Sequence, residues 1–214
     1  MTTVRTYGDP CAAARALDVV GERWALMIIR ELLFGPKRYS DLQTGLPGAS
    51  PTVLSQRLRD LEESGVILRR KLGPPARAWV YELTEWGHEL EPVLIYLGRW
   101  GRSSPPLTHT TMTLGTDSLM LAVKSHLNPG LLAGLEALFR LEIDEDVFTL
   151  RISDGVLAIQ RGEPQRWDAA VRTDPATFKA LVIDGVPVSQ LGDRVELIGD
   201  GGAFERFLGA LVAT

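Results

Sequence analysis

The chain is poor in the residues that most readily build covalent or metal-bound scaffolds. It has one cysteine, Cys11, in 214 residues, which excludes an internal disulfide framework and any cage made of cysteines alone. Its three histidines, His88, His109 and His126, show no HxxxH or CxxC spacing that would gather ligands on one face, so no metal and no cofactor is expected. No apolar run reaches the ~18–20 residues of a membrane helix, and residues 1–8 lack the apolar core of a secretory signal. No membrane association and a cytoplasmic location are the expectations. A phosphate-binding glycine loop and a nucleophile elbow are both missing, and Gly199-Asp-Gly-Gly202 reads as a turn. No catalytic residue is assigned, and an enzyme is the weakest class.

An excess of positive charge is also lacking overall: the net charge is −4, an argument against nucleic acid. Its distribution reverses that argument. Residues 1–105 carry 14 basic against 12 acidic side chains, residues 106–214 carry 9 against 15, and the stretch 23–77 carries 10 against 5. A locally positive face on an acidic protein can hold phosphates while the remainder limits indiscriminate binding. Hydrophobic residues at 45% place the chain among folded globular proteins. Its length suits two domains of roughly 100 residues each.

Cys11, Ala14, Leu17 and Val20 repeat at helical spacing, and Gly21 interrupts. From Glu22 to Phe34 the chain is apolar on most sides, as a central helix requires, until Gly35-Pro36 stops it. Ser40 is placed to cap a short helix broken between Gly45 and Gly48. Ser50 then caps a helix over 51–64 with Pro51 at its first position. Leu54, Leu58 and Leu61 turn inward and Gly65 closes it. Two strand-like runs, 66–72 and 78–84, flank the basic tip Gly73–Arg77 and form a hairpin. Thr84 caps a last helix with the apolar stripe Trp86, Leu90, Val93, Leu94, Leu97 and Trp100, which Pro92 should kink. That stripe exceeds what a small domain buries on itself.

Helix, turn, helix and basic-tipped hairpin is the order of a winged helix-turn-helix, whose second motif helix enters the DNA major groove. With its leucines inward, the 51–64 helix projects Thr52, Val53, Ser55, Gln56 and Arg59. Glutamine and arginine suit adenine and guanine edges, and Ser50 with the amides of the helix N-terminus suits a phosphate. Arg69, Arg70, Lys71 and Arg77 supply charge beside the hairpin for the backbone or adjacent minor groove. The alternative is ordinary charging of an edge strand. Lys37 and Arg38 are a further candidate phosphate clamp.

The first half resembles the HxlR family of winged helix-turn-helix regulators. The resemblance rests on Cys11, Ala16-Leu-Asp-Val-Val-Gly-Glu-Arg-Trp24, Leu32-Leu-Phe-Gly-Pro36, Arg38-Tyr-Ser-Asp-Leu42, Leu46-Pro-Gly-Ala-Ser-Pro-Thr-Val-Leu-Ser-Gln-Arg-Leu-Arg-Asp-Leu-Glu62, and Tyr81-Glu-Leu-Thr84 followed by Gly87. It implies a homodimer joined through the N-terminal and last helices and bound to palindromic double-stranded DNA. It also raises a redox role for Cys11. Members typically have proline after that cysteine, where this chain has Ala12. Only Arg15 lies one turn from Cys11 to favour a thiolate, and a buried, inert thiol is the favoured reading.

Residues 104–116 have the composition of a linker. Beyond them Phe139, Leu141 and Ile143, then Phe148, Leu150 and Ile152, then Leu157 and Ile159 alternate with polar residues. The last two runs are joined at Asp154-Gly155, which predicts an antiparallel meander. Helices follow at Asp174-Pro175 and after a strand over 194–198. The expected class is α+β: a winged helix-turn-helix over 1–103, then, over 117–214, an antiparallel sheet covered by helices. The second part resembles the sterol-carrier-protein-like fold in Leu150-Arg-Ile-Ser-Asp-Gly155, Arg161-Gly162, Asp168, Thr173-Asp-Pro-Ala-Thr177, Gly185 and Val195-Glu-Leu-Ile-Gly-Asp200. That resemblance implies an apolar cavity for a small hydrophobic ligand lined by Leu119, Met120, Val123, Phe178, Val182, Phe204 and Phe207. Plain core is the other reading of the same residues. This half could also only enlarge a dimer interface or bind a protein. A different class of function remains beside the regulator: an apolar-ligand carrier whose winged domain makes protein contacts.

Overall fold

The computed structural model describes residues 6–105 and 114–211. The segment 106–113, most of the expected linker, and His109 within it lie outside the described residues. The chain divides into two compact units, one ending at Leu94 and the other beginning at Ile95.

The first unit opens with α1 (Ala12–Val20), α2 (Ala25–Leu32), α3 (Tyr39–Gly45) and α4 (Pro51–Glu63). The hairpin strands β1 (Ile67–Lys71) and β2 (Trp79–Leu83) follow, then the one-turn α5 (Glu85–His88) and the start of α6 (Glu91–Arg102). Ala25, Ile28, Ile29 and Leu32 of α2 are buried, as expected for a helix surrounded by neighbours. Lys37 and Tyr81 exchange two backbone hydrogen bonds, at 3.0 and 2.8 Å, and so fasten the entry to α3 onto the hairpin. The helix expected to be capped by Ser40 starts two residues earlier, at Tyr39. Arg38 is its cap, and Asp41 accepts the Arg38 N–H at 3.0 Å. Pro92 breaks the last helix instead of kinking it: Pro92 stands in the first turn of α6, where its missing donor costs nothing, and α5 ends before it. Gly87 has a steric reason for its place, because a Cβ there would lie 2.2 Å from the Val66 carbonyl oxygen.

Glu31 stands out in α2, 3% exposed among leucines and isoleucines. Its carboxylate accepts from Lys37 Nζ at 2.6 Å and from Arg30 Nη2 at 2.7 Å. Burial pushes its pKa up, yet the charges of Lys37 and Arg30 and their hydrogen bonds outweigh burial and hold it below the ordinary value.

The second unit contains the rest of α6, then α7 (Thr116–His126), β3 (Ala137–Ile143), β4 (Asp146–Ser153), β5 (Val156–Arg161), β6 (Ala169–Thr173), α8 (Pro175–Val182), α9 (Val188–Leu191), β7 (Glu196–Gly199) and α10 (Gly201–Gly209). The sheet order is β5-β4-β3-β6-β7. The expected meander is β3-β4-β5, closed at Asp154-Gly155, both at positive φ. The sheet is not wholly antiparallel: β6 pairs parallel to β3, with Phe139 opposite Ala169 and Ile143 opposite Thr173. The seven residues 162–168 carry the chain from the β5 edge past β4 and β3, three strand spacings or about 14 Å. Alternation cannot reveal this, since it marks faces and not strand direction.

One sheet face buries Phe139, Leu141, Ile143, Phe148, Leu150 and Ile152 with side chains of α7, α8 and α10. The other carries cross-strand charge pairs, Arg172 with Glu142 at 2.8 Å and with Glu196 at 3.4 Å. Arg161 closes one end: it donates to both oxygens of the buried Asp117 at 2.9 Å, pairs with Asp146 and lies 4.5 Å over the Phe148 ring.

Replacing Glu31 by glutamine leaves Lys37 without its carboxylate in a nearly dry place and should destabilise the first unit by about 3–5 kcal/mol in denaturant titrations. Because the folded pKa is depressed, the stabilisation from Glu31 is present above the unfolded value near ~4.3 and is lost as pH falls through the folded one. The unsubstituted chain should therefore lose more stability than the variant between about pH 5 and pH 2.

Candidate nucleic-acid interface

The orientation of α4 is set by its buried side. Leu54, Leu58 and Leu61 are at most 1% exposed. Leu42 from α3, with Leu46 and Ala49 from the turn between the two helices, is buried as well. Ser50 caps the helix, its Oγ accepting from Val53 N at 3.4 Å. Tyr39 joins the pair of helices: its hydroxyl donates to Pro51 O at 3.1 Å and accepts from Ser55 Oγ at 3.3 Å.

Opposite the leucines, Thr52, Val53 and Arg59 are exposed and Ser55 and Gln56 are half-buried. The five residues expected on the outward side thus share the polar side of α4. They are not independent. Gln56 Nε2 donates to Asp60 Oδ1 at 2.7 Å, and Arg59 Nη2 donates to Gln56 Oε1 at 2.7 Å. Arg57, which sequence reading passed over, is held by Asp60 and by Glu22 at 3.3 Å. Glu62 and Glu63 at the far end of α4 are exposed.

The hairpin separates a run of charges that looks uniform in sequence. Strand alternation sends Arg69 and Lys71 to one face, opposite Tyr81 and Trp79, and Arg70 to the other. Arg69 lies 4.7 Å over the Trp79 ring and 5.8 Å over Tyr81. Trp79 is half exposed, an aromatic on the basic face that the register 69/81 and 71/79 could have revealed. Arg70 Nε donates to Glu82 at 2.6 Å, so its charge is partly answered. Arg77 is exposed at the tip with φ of 41°. Arg38 is exposed, but Lys37 is 8% exposed and its ammonium holds Glu31. Lys37 therefore belongs to the interior and not to a phosphate clamp.

The sequence profile described as HxlR-like helix-turn-helix matches residues 19–107. The uncharacterized HTH-type transcriptional regulator YvaP of Bacillus subtilis (strain 168) is 36% identical over 86 residues, which are 40% of this chain and 80% of YvaP. The chain belongs to the HxlR-like helix-turn-helix family. Another relative, the uncharacterized HTH-type transcriptional regulator Mb3122 of Mycobacterium bovis (strain ATCC BAA-935 / AF2122/97), is 41% identical over 90 residues, 42% of this chain and 56% of Mb3122. Among solved structures, the reduced form of the transcriptional regulator YodB from B. subtilis matches at 32% identity and a TM-score of 0.39, over 42% of this chain and 90% of that one.

Two sites of this HxlR-like chain lie elsewhere. Cys11 is exposed at the N-cap of α1, which corrects the expectation of a buried thiol. Its N–H donates to Asp9 at 2.8 Å, and its carbonyl accepts from Arg15 N. The N-terminal segment is latched to α1 by Asp18, which accepts from Tyr7 N and Thr6 Oγ1. That latch leaves most of α1 open to solvent. Leu119, Met120, Val123, Phe178, Val182, Phe204 and Phe207 are all buried in the second unit. Phe204 and Phe207 pack on Phe139 at 5.6 and 5.7 Å between ring centres and on each other at 5.9 Å. All seven residues expected to line a cavity are buried, and two of them, Phe204 and Phe207, belong to an aromatic cluster with Phe139.

Ellman titration of the undenatured protein should register one thiol, and the Cys11→Ser variant none. A thiol that reacts only after denaturation would show Cys11 to be shielded in the assembled protein.

Proposed function

We propose that the chain is a DNA-binding transcriptional regulator acting as a homodimer, with α4 in the major groove and the β1–β2 hairpin along the backbone. The observation that carries this reading is the two-sidedness of α4. Three fully buried leucines fix the helix from behind, and a capped N-terminus presents Ser50, Thr52, Val53, Ser55, Gln56 and Arg59 in front. Arg38, Arg69, Lys71 and Arg77 are the proposed phosphate contacts. Arg70, paired with Glu82, contributes less.

The proposed dimer is supported by surplus apolar surface. Val93, Tyr96, Leu97 and Trp100 lie at i, i+3, i+4 and i+7 along one face of α6, and all are exposed, Trp100 to 76%. Trp86 on α5 and Leu17 on α1 are exposed too. An apolar stripe of this size marks a protein interface. In a symmetric dimer on a palindrome, the two α4 helices would lie about 34 Å apart, one turn of the duplex.

A hydrophobic effector in the second unit is the finer part of the proposal. Its support is the sequence resemblance, in which Phe204 and Phe207, here packed on Phe139, are among the expected lining residues. Regulation of transcription by the first unit does not depend on it. A long-chain fatty acid that raises the second unit's melting temperature would support the effector; one that leaves it unchanged at millimolar concentration would remove it.

DNA binding is tested by titrating the purified chain with duplex oligonucleotides at increasing salt. Affinity should fall by about 10³–10⁵ between 50 and 200 mM salt if six to ten phosphates are contacted. The double variant Arg69→Ala, Lys71→Ala should bind all duplexes more weakly by a similar factor and with a shallower salt slope. No affinity for any duplex at 50 mM salt would sink the regulator in favour of a ligand carrier. Sedimentation should give a dimer, and Trp100→Glu with Tyr96→Glu a monomer.

A further inference from the structure

We propose that Arg59 reads a guanine in each half of the operator, and that Gln56 reads no base but holds Arg59 in position to do so. The proposal rests on the reading that α4 enters the major groove, and it names what that helix finds there.

Side chains along one flank of α4 form an ordered chain. Arg57 pairs with Asp60, Asp60 Oδ1 accepts from Gln56 Nε2 at 2.7 Å, and Gln56 Oε1 accepts from Arg59 Nη2 at 2.7 Å. The direction of the chain is forced by chemistry. A carboxylate only accepts and a guanidinium only donates, so the amide of Gln56 must turn its NH2 to Asp60 and its oxygen to Arg59. Both ends of the amide agree on one orientation, and both of its bonds are to charged partners, the stronger kind.

Bidentate recognition of adenine would require the same two amide ends to face the base. Turning Gln56 outward would break both bonds and leave Asp60 with one partner fewer. Gln56 is also half-buried, whereas Arg59 is exposed. Arg59 gives one of its five N–H groups to Gln56, and the remaining fork matches the O6 and N7 acceptors of guanine. A guanidinium already held at one corner loses less rotamer freedom on binding than an unrestrained one.

Charge supports the same division of roles. Asp60 alone would set a carboxylate beside an incoming polyanion. Arg57 lies against it and is in turn held by Glu22 at 3.3 Å. Arg57 thus sits between two carboxylates, Asp60 and Glu22, and Arg59 is the exposed cation of this flank.

A network of this spacing could instead merely stiffen a helix, so the test reads base preference as well as affinity. Duplexes bound by the full-length protein are selected from a random pool. Binding is then measured to the selected duplex and to versions with single base pairs replaced. The wild type should prefer guanine at two mirror-related positions by on the order of 10- to 100-fold. Arg59→Ala should bring that ratio close to one. Gln56→Ala should lower the ratio several-fold at the same base pair and leave every other preference as it was. Gln56→Glu keeps an acceptor for Arg59 and should restore most of the ratio at lower overall affinity. A wild-type circular dichroism spectrum and a cooperative thermal transition serve as the folding control for each variant.

Loss of preference at a different base pair in Gln56→Ala would show that Gln56 reads directly, and would overturn the proposal. So would a guanine preference that survives Arg59→Ala, a selected duplex without mirrored guanines, or a ratio untouched by Gln56→Ala. Duplex binding without any selected sequence would end base reading by α4 while leaving the DNA contact. Failure to bind any duplex would remove the regulator itself.

Discussion

Three leucines on one side of α4 constrain everything that can be said about its other side. Leu54, Leu58 and Leu61 are buried to within 1% of completely. Burying three such side chains is worth several kcal/mol, on the order of 1.5–3 each, so no rotation that exposes them competes. That fixes the azimuth of the helix. Its polar residues then face outward whatever their own preferences, and Ser50 and Pro51 fix where the exposed amides begin. The Tyr39 hydroxyl, bonded to Pro51 O and Ser55, ties this arrangement to the preceding helix.

A second constraint lies behind the first. The Glu31 carboxylate stands inside an apolar helix because Lys37 and Arg30 reach it, and a Cβ at Gly45 would come within 2.3 Å of its Oε2. The end of α2, the end of α3 and the strand-like contact at Lys37 therefore meet around one charge. Lys37 and Arg38, neighbours in sequence, end in opposite environments for this reason. The apolar pattern of residues 22–34 correctly marked a central helix, but it gave no hint that Glu31 was the point where the surrounding elements join.

Features that rest on local chemistry were legible in the sequence. The Ser50-Pro51 start, the leucine stripe, the basic-tipped hairpin, the Asp154-Gly155 turn and the alternating strands of the second unit are all found where the residues pointed. Features that rest on partners distant in the chain were not. The parallel pairing of β6 with β3 leaves no mark on alternation. The exposure of Cys11 depends on what packs against α1. The split of Arg69 and Lys71 from Arg70 was available from strand periodicity but only once the register was known. The bond between Gln56 and Asp60 was foreseeable from their four-residue spacing alone. The side chains suggested for a ligand cavity are all buried, as the apolar pattern required, and the packing of Phe204 and Phe207 on Phe139 joins segments that lie far apart in the chain.

The parallel β3–β6 pair also orders events in time. In the first unit every partner, including the distant pair Lys37 and Tyr81, has been made by the time the hairpin is complete. In the second, β3 gains its parallel neighbour only after some thirty further residues, β7 comes later still, and Leu127 meets Leu211 near the far end. Contacts between distant segments form slowly, and a chain emerges from the ribosome N-terminus first. The helix-turn-helix is thus assembled while half of the second sheet is still unmade. Nascent chains should pass through a stage in which the regulator's head is complete and its acidic partner unit is not.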